Sequence, residues 1–421
     1  MTLIKTTIWT GFSSLIKVIT TYIVLKVIAV YTGPVGLAVL EQFRNFIEVS
    51  RSFSGSLNQG IVKYIAEYKH DEENKSRILS SALTTYLIFS IVITLFLFFF
   101  NEKISLIFFH SLEYKMPIML LGFSISLYSL NNFLLSVLNG EFEIKKYVTC
   151  NIVNTIMIFI LTVYLVVHYG IQGGLIGFIL NQSIALLLTI YLVVKSKWFK
   201  FNSYVQGFDK EKTFKLLSYA TMTLVQILVL PVTSLILRKY IANSLSWQEA
   251  GYWQGIMKLS DGYLVLMELV LTVYFLPKFS SIKTLPEFKT EIIYTYKFIV
   301  PIIISGLMCV FILKKQIVNA LYSQQFFPML GLFKYQLIGD MTRMSTWPLI
   351  NIMLARAMIK TLVLSEIFSN ILYVLLTVIF VHYFGLIGAS ISFSINHVIY
   401  FFVMLYITLK CIKKSYFQFQ I

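Results

Sequence analysis

The chain has 421 residues, 57% of them hydrophobic and only 13% charged, with a formal net charge of +16. A soluble domain carries about a quarter charged residues, so the composition excludes a soluble domain large enough to do chemistry of its own. Cys150, Cys309 and Cys411 are scattered without disulfide or metal spacing, and the five histidines are equally dispersed, so no metal and no cofactor is expected.

A bilayer core takes roughly 20 apolar residues per helix. In chain order, the apolar stretches predict spans over 5–31, 36–66, 78–100, 116–138, 147–168, 172–194, 213–239, 250–277, 291–313, 328–355, 361–381 and 385–409. The run 86–100 is apolar on every side rather than alternating, which predicts helices and not barrel strands. The first stretch lacks a small-x-small cleavage site and reads as a retained span rather than a signal peptide.

Orientation follows the lysines and arginines near the span ends. With the N-terminus inside, the cytoplasmic segments hold 20 of them and the outside loops hold four, Lys103, Lys115, Lys314 and Lys315. That asymmetry predicts both termini in the cytoplasm and an even number of spans. It also accounts for most of the positive charge without any nucleic acid. The longest loop, 195–212, falls near the midpoint, predicting an N-terminal lobe 1–196, a cytoplasmic linker 197–212 and a C-terminal lobe 213–421. The expected fold is an all-α integral membrane protein of about 12 transmembrane helices, in two six-helix lobes around a central cavity. A weak internal echo fits: Lys26 precedes Gly36-Leu37, and Arg238 precedes Gly251-Tyr252.

Charges inside spans need an explanation, because each costs about 2.5–3.5 kcal/mol at a helix centre. Glu41, Arg44, Glu48 and Arg51 lie at i, i+3, i+7 and i+10, within an arc of about 80° on a helix. Gln254, Lys258, Asp261 and Glu268 share a face of the eighth span, and Gln336, Asp340 and Arg343 share one of the tenth. The bland alternative is internal salt bridging, since the first stripe alternates in sign. The number of charged faces favours helices that line something wet. Lys17 and Lys26, nine residues apart, point to opposite sides of a straight helix.

The excess of cations (Lys26, Arg44, Arg238 and Lys258) predicts an anionic ligand, with the arginines able to fork onto phosphate. Pro231 and Pro348 lie inside spans and permit bending. Trp247 and Trp253 suit sugar rings or interface packing. The sequence holds no Gly-rich phosphate loop and no histidine with an i+4 partner, which points to a transporter rather than an enzyme.

Several blocks resemble a known family. They are 3–9 with Lys5, then Lys17, Leu25-Lys26, Ala29-Val30, 33–37, Phe43-Arg44 and 62–64. In the second half they are 230–232, Arg238-Lys239, 253–255, Ser260-Asp261, Tyr263-Leu264 and 336–340. These resemble the multidrug/oligosaccharidyl-lipid/polysaccharide exporter superfamily, and within it the Wzx-type flippases, nearest the lipid III branch of enterobacterial common antigen assembly. The resemblance implies alternating-access translocation of an undecaprenyl-diphosphate-linked oligosaccharide, an O-antigen repeat unit or lipid III, across a bacterial inner membrane. It implies Lys17, Lys26, Arg44, Arg238, Gln254, Asp261 and Asp340 as cavity residues. Arg51, Lys258, Glu41 and Glu48 lie outside that pattern and enter on their helical spacing. The expected substrate set is therefore Lys17, Lys26, Arg44, Arg51, Arg238, Gln254 and Lys258, with Glu41, Glu48, Asp261 and Asp340 as candidates for ion coupling. Expected partners are the lipid-linked glycan, membrane lipids, and a polysaccharide polymerase and chain-length regulator. The rival readings are a multidrug cation antiporter of the same superfamily, which predicts an acidic cavity, and a lipid II flippase.

Overall fold

A computed structural model describes residues 3–282, 285–356 and 358–417. Among these, every regular element is helical. In order they are α1 (Leu3–Gly55), α2 (Asn58–Glu67), α3 (Glu72–Phe109), α4 (Lys115–Gly140), α5 (Ile144–Val194), α6 (Lys210–Ser244), α7 (Trp247–Ser281), α8 (Leu285–Ile312), α9 (Lys314–Leu321), α10 (Phe333–Ala355), α11 (Ile359–Phe384) and α12 (Leu386–Phe417). Of the charges singled out in the sequence, the side chains of Lys5, Glu268, Lys283, Lys289, Lys413 and Lys414 lie outside the described residues.

Ten of these helices exceed 20 residues, and two of the ten are broken inside, so the described chain holds twelve long helical segments. α1 breaks at Gly33, whose φ of 64° and ψ of −169° suit a residue without Cβ. Pro34 follows, disfavouring α geometry at its predecessor and starting the next helix well. α5 breaks in the same way at Gly170. Among the described residues eight helical stretches are long and apolar enough to cross a membrane, and two of these, 16–67 and 144–194, contain the broken pairs. The long helices outside that set are α7 and α10, which carry Lys258, Asp261, Asp340 and Arg343. The protein is a multi-pass membrane protein.

Two predicted spans are corrected. The second, 36–66, is not one helix: α1 ends at Gly55 and α2 begins at Asn58. Ser52, Ser54 and Ser56 turn their hydroxyls onto the carbonyls of Glu48, Arg51 and Phe53. Such bonds compete with the helix ladder, and Gly55 weakens it further. The tenth, 328–355, starts later. A 3-10 stretch over Gln324–Leu332 contains Pro328, and α10 begins only at Phe333.

The chain divides into two compact units. The first comprises residues up to Thr32 with Val39–Leu235, and the second comprises Gly33–Ala38 with Ile236–Ile421. In the first, α4 packs against α3, α5 and α2. Its core includes Leu57, Ile61, Ile78, Tyr86, Phe133 and Leu216. Burying a side chain of the size of Phe133 contributes about 1.5–3 kcal/mol. The outer face of α3 exposes Ile88, Val92, Phe96 and Phe99, a surface stable only against lipid.

At one end of this unit Lys75 Nζ meets Glu141 Oε1 at 2.5 Å, with each side chain 8% exposed. Tyr204, from the 3-10 turn Phe201–Tyr204, packs there against Phe133 and Phe199. Burial first, and the Glu141 charge second, push its phenol well above the ordinary value.

In the second unit α12 packs against α10 and α11, and α10 also packs against α7 and α8. Leu237, Ile241, Trp253, Tyr373 and Phe393 lie in its core. Gly251 lets the backbone of α7 meet Pro34: a Cβ there would lie 2.1 Å from the Pro34 carbonyl oxygen.

Candidate functional site

In the first unit the alternating stripe on α1 folds as its spacing requires. Arg44 sits between two acids one turn away on either side, with Nη1 3.2 Å from Glu41 Oε1 and Nε 3.3 Å from Glu48 Oε1. Glu41 is buried, while Arg44 and Glu48 are half-buried. The helix therefore neutralises Arg44 within itself. Arg51, a further turn on, is different. Its guanidinium lies 4.1 Å from the centre of the Tyr128 ring on α4. The Nε and Nη2 atoms are buried without a hydrogen-bond partner among the described residues. Cation–π contact holds the charge in place and leaves those donors unspent. Lys17 is exposed and Lys26 half-buried, consistent with opposite sides of one helix.

The second unit carries a separate polar system. Arg238 on α6 is 1% exposed. Its Nε and Nη2 donate to Gln254 Oε1 on α7 at 3.1 and 2.5 Å, and its guanidinium lies 5.8 Å from the centre of the Trp253 ring. Two turns along α7, Ser260 Oγ donates to Asp340 Oδ2 on α10 at 2.7 Å, and the Tyr263 hydroxyl donates to the same oxygen. Gln336 Nε2 donates to Ser260 Oγ at 3.1 Å, closing the cluster. Asp340 is fully buried, and its Oδ1 has no partner among the described residues. Beside it, Arg343 Nη1 pairs with half-exposed Asp261 Oδ1 at 3.3 Å. Lys258 on α7 is half-buried.

The structure thus joins Arg238 to Gln254, Asp261 to Arg343, and Arg44 to Glu41 and Glu48. Charged side chains in an apolar bundle are stable only when paired, solvated or held by dipoles, and each of these pairings follows that rule. Trp253 is 2% exposed and packed in the core, whereas Trp247 lies partly buried at its edge. Among the described residues no group of three or more His, Cys, Asp or Glu is placed to hold a metal ion.

A sequence profile described as "Polysaccharide biosynthesis protein" matches residues 45–331, more than half of the chain. The chain belongs to the polysaccharide biosynthesis protein family. The match begins just after Arg44, takes in Glu48, Arg51, Arg238, Gln254 and Asp261, and ends within the 3-10 stretch before α10.

Two curated relatives of this family member are the lipid III flippases of Escherichia coli (strain K12) and Shigella flexneri. Each is 26% identical over 403 residues, covering 95% of this chain and 97% of the relative. Among solved structures, an inward-facing MATE family multidrug transporter of the MOP superfamily superposes with a TM-score of 0.78 at 14% identity, over 94% of both chains. The lipid II flippase MurJ, in an inward closed conformation, superposes with a TM-score of 0.72 at 18% identity, over 96% of this chain and 87% of that one. The fold of this polysaccharide biosynthesis protein is thus the MATE/MurJ transporter fold.

The sequence reading missed the partners of two of its own residues. Tyr128 carries Arg51, and Ser260 with Tyr263 carries Asp340. For Ser260 and Tyr263 a signal existed, since both lie within three residues of Asp261 on α7. For Tyr128 none did: it is one of 26 tyrosines, on a helix with no charge after Lys115.

Proposed function

We propose that this protein is a flippase that moves an undecaprenyl-diphosphate-linked oligosaccharide from the cytoplasmic to the periplasmic leaflet of a bacterial inner membrane. The observation that carries this reading is Arg51, a cation on a membrane helix whose buried donors meet no acceptor among the described residues. A planar fork with two unspent N–H donors matches a phosphate. In the same unit Lys17, Lys26 and Arg44 are assigned to further contacts with the substrate, and in the second unit Arg238, Gln254 and Lys258 are assigned to it separately. The full-length likeness to lipid III flippases supports a glycan on a lipid carrier as the cargo. The multidrug-antiporter reading is the weaker one, because the relatives matched over the full chain are lipid III flippases, whereas the likeness to MATE transporters is one of fold at 14% identity.

The reading places both termini in the cytoplasm and the lobes at 1–196 and 213–421, joined by the linker 197–212. It assigns Asp340, with Asp261, Glu41 and Glu48, to proton or cation coupling, since a carboxylic acid is far cheaper to bury neutral than ionised. A polymerase that consumes the delivered units, with its chain-length regulator, is the proposed protein partnership.

Complementation tests it. The chain is expressed in one strain lacking its O-antigen flippase and another lacking its common-antigen flippase, with surface glycan and accumulated lipid-linked intermediate as readouts. Rescue that disappears with Arg51→Glu is the expected result. Rescue that survives Arg51→Glu and Arg44→Glu together overturns the phosphate assignment, and no rescue in either strain despite confirmed insertion overturns this choice of glycan.

A further inference from the structure

The first unit holds a polar cavity that no charged stripe accounts for. Its volume is about 480 Å³, within the range of small-molecule sites. Asn58 and Gln59 of α2, Asn132 and Asn139 of α4 and Asn151 of α5 supply five side-chain amides to its wall. Lys63 is the one charged group among the described lining residues, and Tyr147 and Tyr219 present rings.

Amides in a helical bundle often serve as glue between helices. Among the described residues, no hydrogen bond joins one of these five amides to another. Asn58 accepts a hydrogen bond from the Tyr86 hydroxyl, which fixes its orientation. Asn151 Nδ2 donates to the Tyr147 carbonyl of its own helix at 3.0 Å, leaving the amide oxygen for other donors. Lys63 Nζ lies 4.8 and 5.0 Å from the centres of the Tyr64 and Tyr219 rings, which anchors the ammonium at the rim.

Each amide offers one acceptor oxygen and two N–H donors. A ring bearing adjacent hydroxyls presents donors and acceptors in equal measure and matches such a wall. Phosphate, which only accepts, matches it poorly, because a single cation is present. Aromatic faces suit the apolar C–H face of a pyranose. The cavity also lies at the end of the unit where Lys63, Lys69, Lys145 and Lys146 cluster, the end that the proposed orientation assigns to the cytoplasm.

We propose that this cavity is a sugar-binding subsite, which takes a pyranose of the lipid-linked glycan as it is loaded, separately from the diphosphate held by arginine. The proposal rests on the flippase reading and adds to it which residues read the glycan. The amides recognise hydroxyl and acetamido groups, and Lys63 favours a neutral or acid-bearing sugar over an amino sugar with a free ammonium.

The test uses the full chain in nanodiscs and two probes, undecaprenyl diphosphate and undecaprenyl diphosphate carrying one N-acetylhexosamine. The variants are Asn132→Leu with Asn151→Leu, and separately Gln59→Ala with Lys63→Gln, whose positions are exposed at the rim. The wild type is expected to bind the sugar-bearing probe at least tenfold more tightly than the bare carrier. Each variant is expected to lose that preference while binding the bare carrier as the wild type does. Equal weakening toward both probes, or an unchanged preference, overturns the subsite. Wild-type binding of both probes with no preference also overturns it and leaves the flippase reading standing. Binding of neither probe counts against the flippase reading itself. If the Asn132→Leu with Asn151→Leu variant fails to fold, the rim variant decides alone.

Discussion

Replacing Arg51 by Met removes the charge and the donors while keeping an unbranched chain against Tyr128. The structure sets the size of the expected effect. Two buried donors, Nε and Nη2, have no partner to lose among the described residues, so the substitution strands no protein acceptor. Each charge-assisted hydrogen bond they form with phosphate contributes about 1.5–3 kcal/mol. Because bonds from one guanidinium do not add fully, the pair amounts to about 2–4 kcal/mol, or roughly 30- to 700-fold in affinity. Folding moves the other way. Removing an intramembrane cation relieves about 2–3 kcal/mol of insertion cost, offset by about 1 kcal/mol of lost cation–π contact. The variant is therefore expected to be at least as heat-stable as the wild type in detergent, yet to bind undecaprenyl diphosphate far more weakly in nanodiscs. Arg51→Lys is expected to fall between, since an ammonium is a point charge without the planar fork. A Met variant whose affinity stays within about threefold of wild type would refute the phosphate role, whatever its stability.

Other predictions concern separate parts of the molecule. Glu141→Ala leaves Lys75 buried and unpaired and is expected to destabilise by about 3–5 kcal/mol. The double replacement Lys75→Met with Glu141→Leu is expected to regain most of that loss, and thermal unfolding of the four proteins in detergent measures the coupling. Gly251→Ala drives a methyl into the Pro34 backbone and is expected to cost about 3 kcal/mol or more. Gly255→Ala meets the flexible Met329 side chain at 3.0 Å and the Phe326 ring at an ordinary contact distance of 3.4 Å, and is expected to cost less; folded yield by size-exclusion chromatography compares the two. Asp340→Asn, which keeps shape but cannot exchange a proton, is expected to make transport in proteoliposomes insensitive to an imposed pH gradient while probe binding persists. Transport that still tracks the gradient removes Asp340 from the coupling set.

The α1 stripe was legible because helical periodicity alone puts Glu41, Arg44, Glu48 and Arg51 on one face, and one-turn spacing fixes which acids reach Arg44. The break at Gly33 was legible in part: Gly-Pro marks a boundary in any context. The break after Gly55 was hidden, because serines inside an apolar stretch are compatible with a span until their hydroxyls are seen to bond the backbone. The amide cavity was hidden for a different reason. Its walls come from four helices up to about 160 residues apart in the chain, and scattered asparagines carry no periodic signal on any one of them.

What the sequence determines by itself is what local physics determines. Apolar runs of bilayer length must become membrane helices, since only helices satisfy their own backbone groups in lipid. Basic residues near the run ends set the orientation that we propose. Intramembrane charges mark the helices that cannot face lipid. What only the tertiary structure decides is which charges cancel and which remain available. Arg44 and Arg51 are equivalent in the sequence, seven residues apart on one face. Packing against Tyr128, more than 70 residues further along the chain, leaves Arg51, of these two, with buried donors that meet no partner among the described residues.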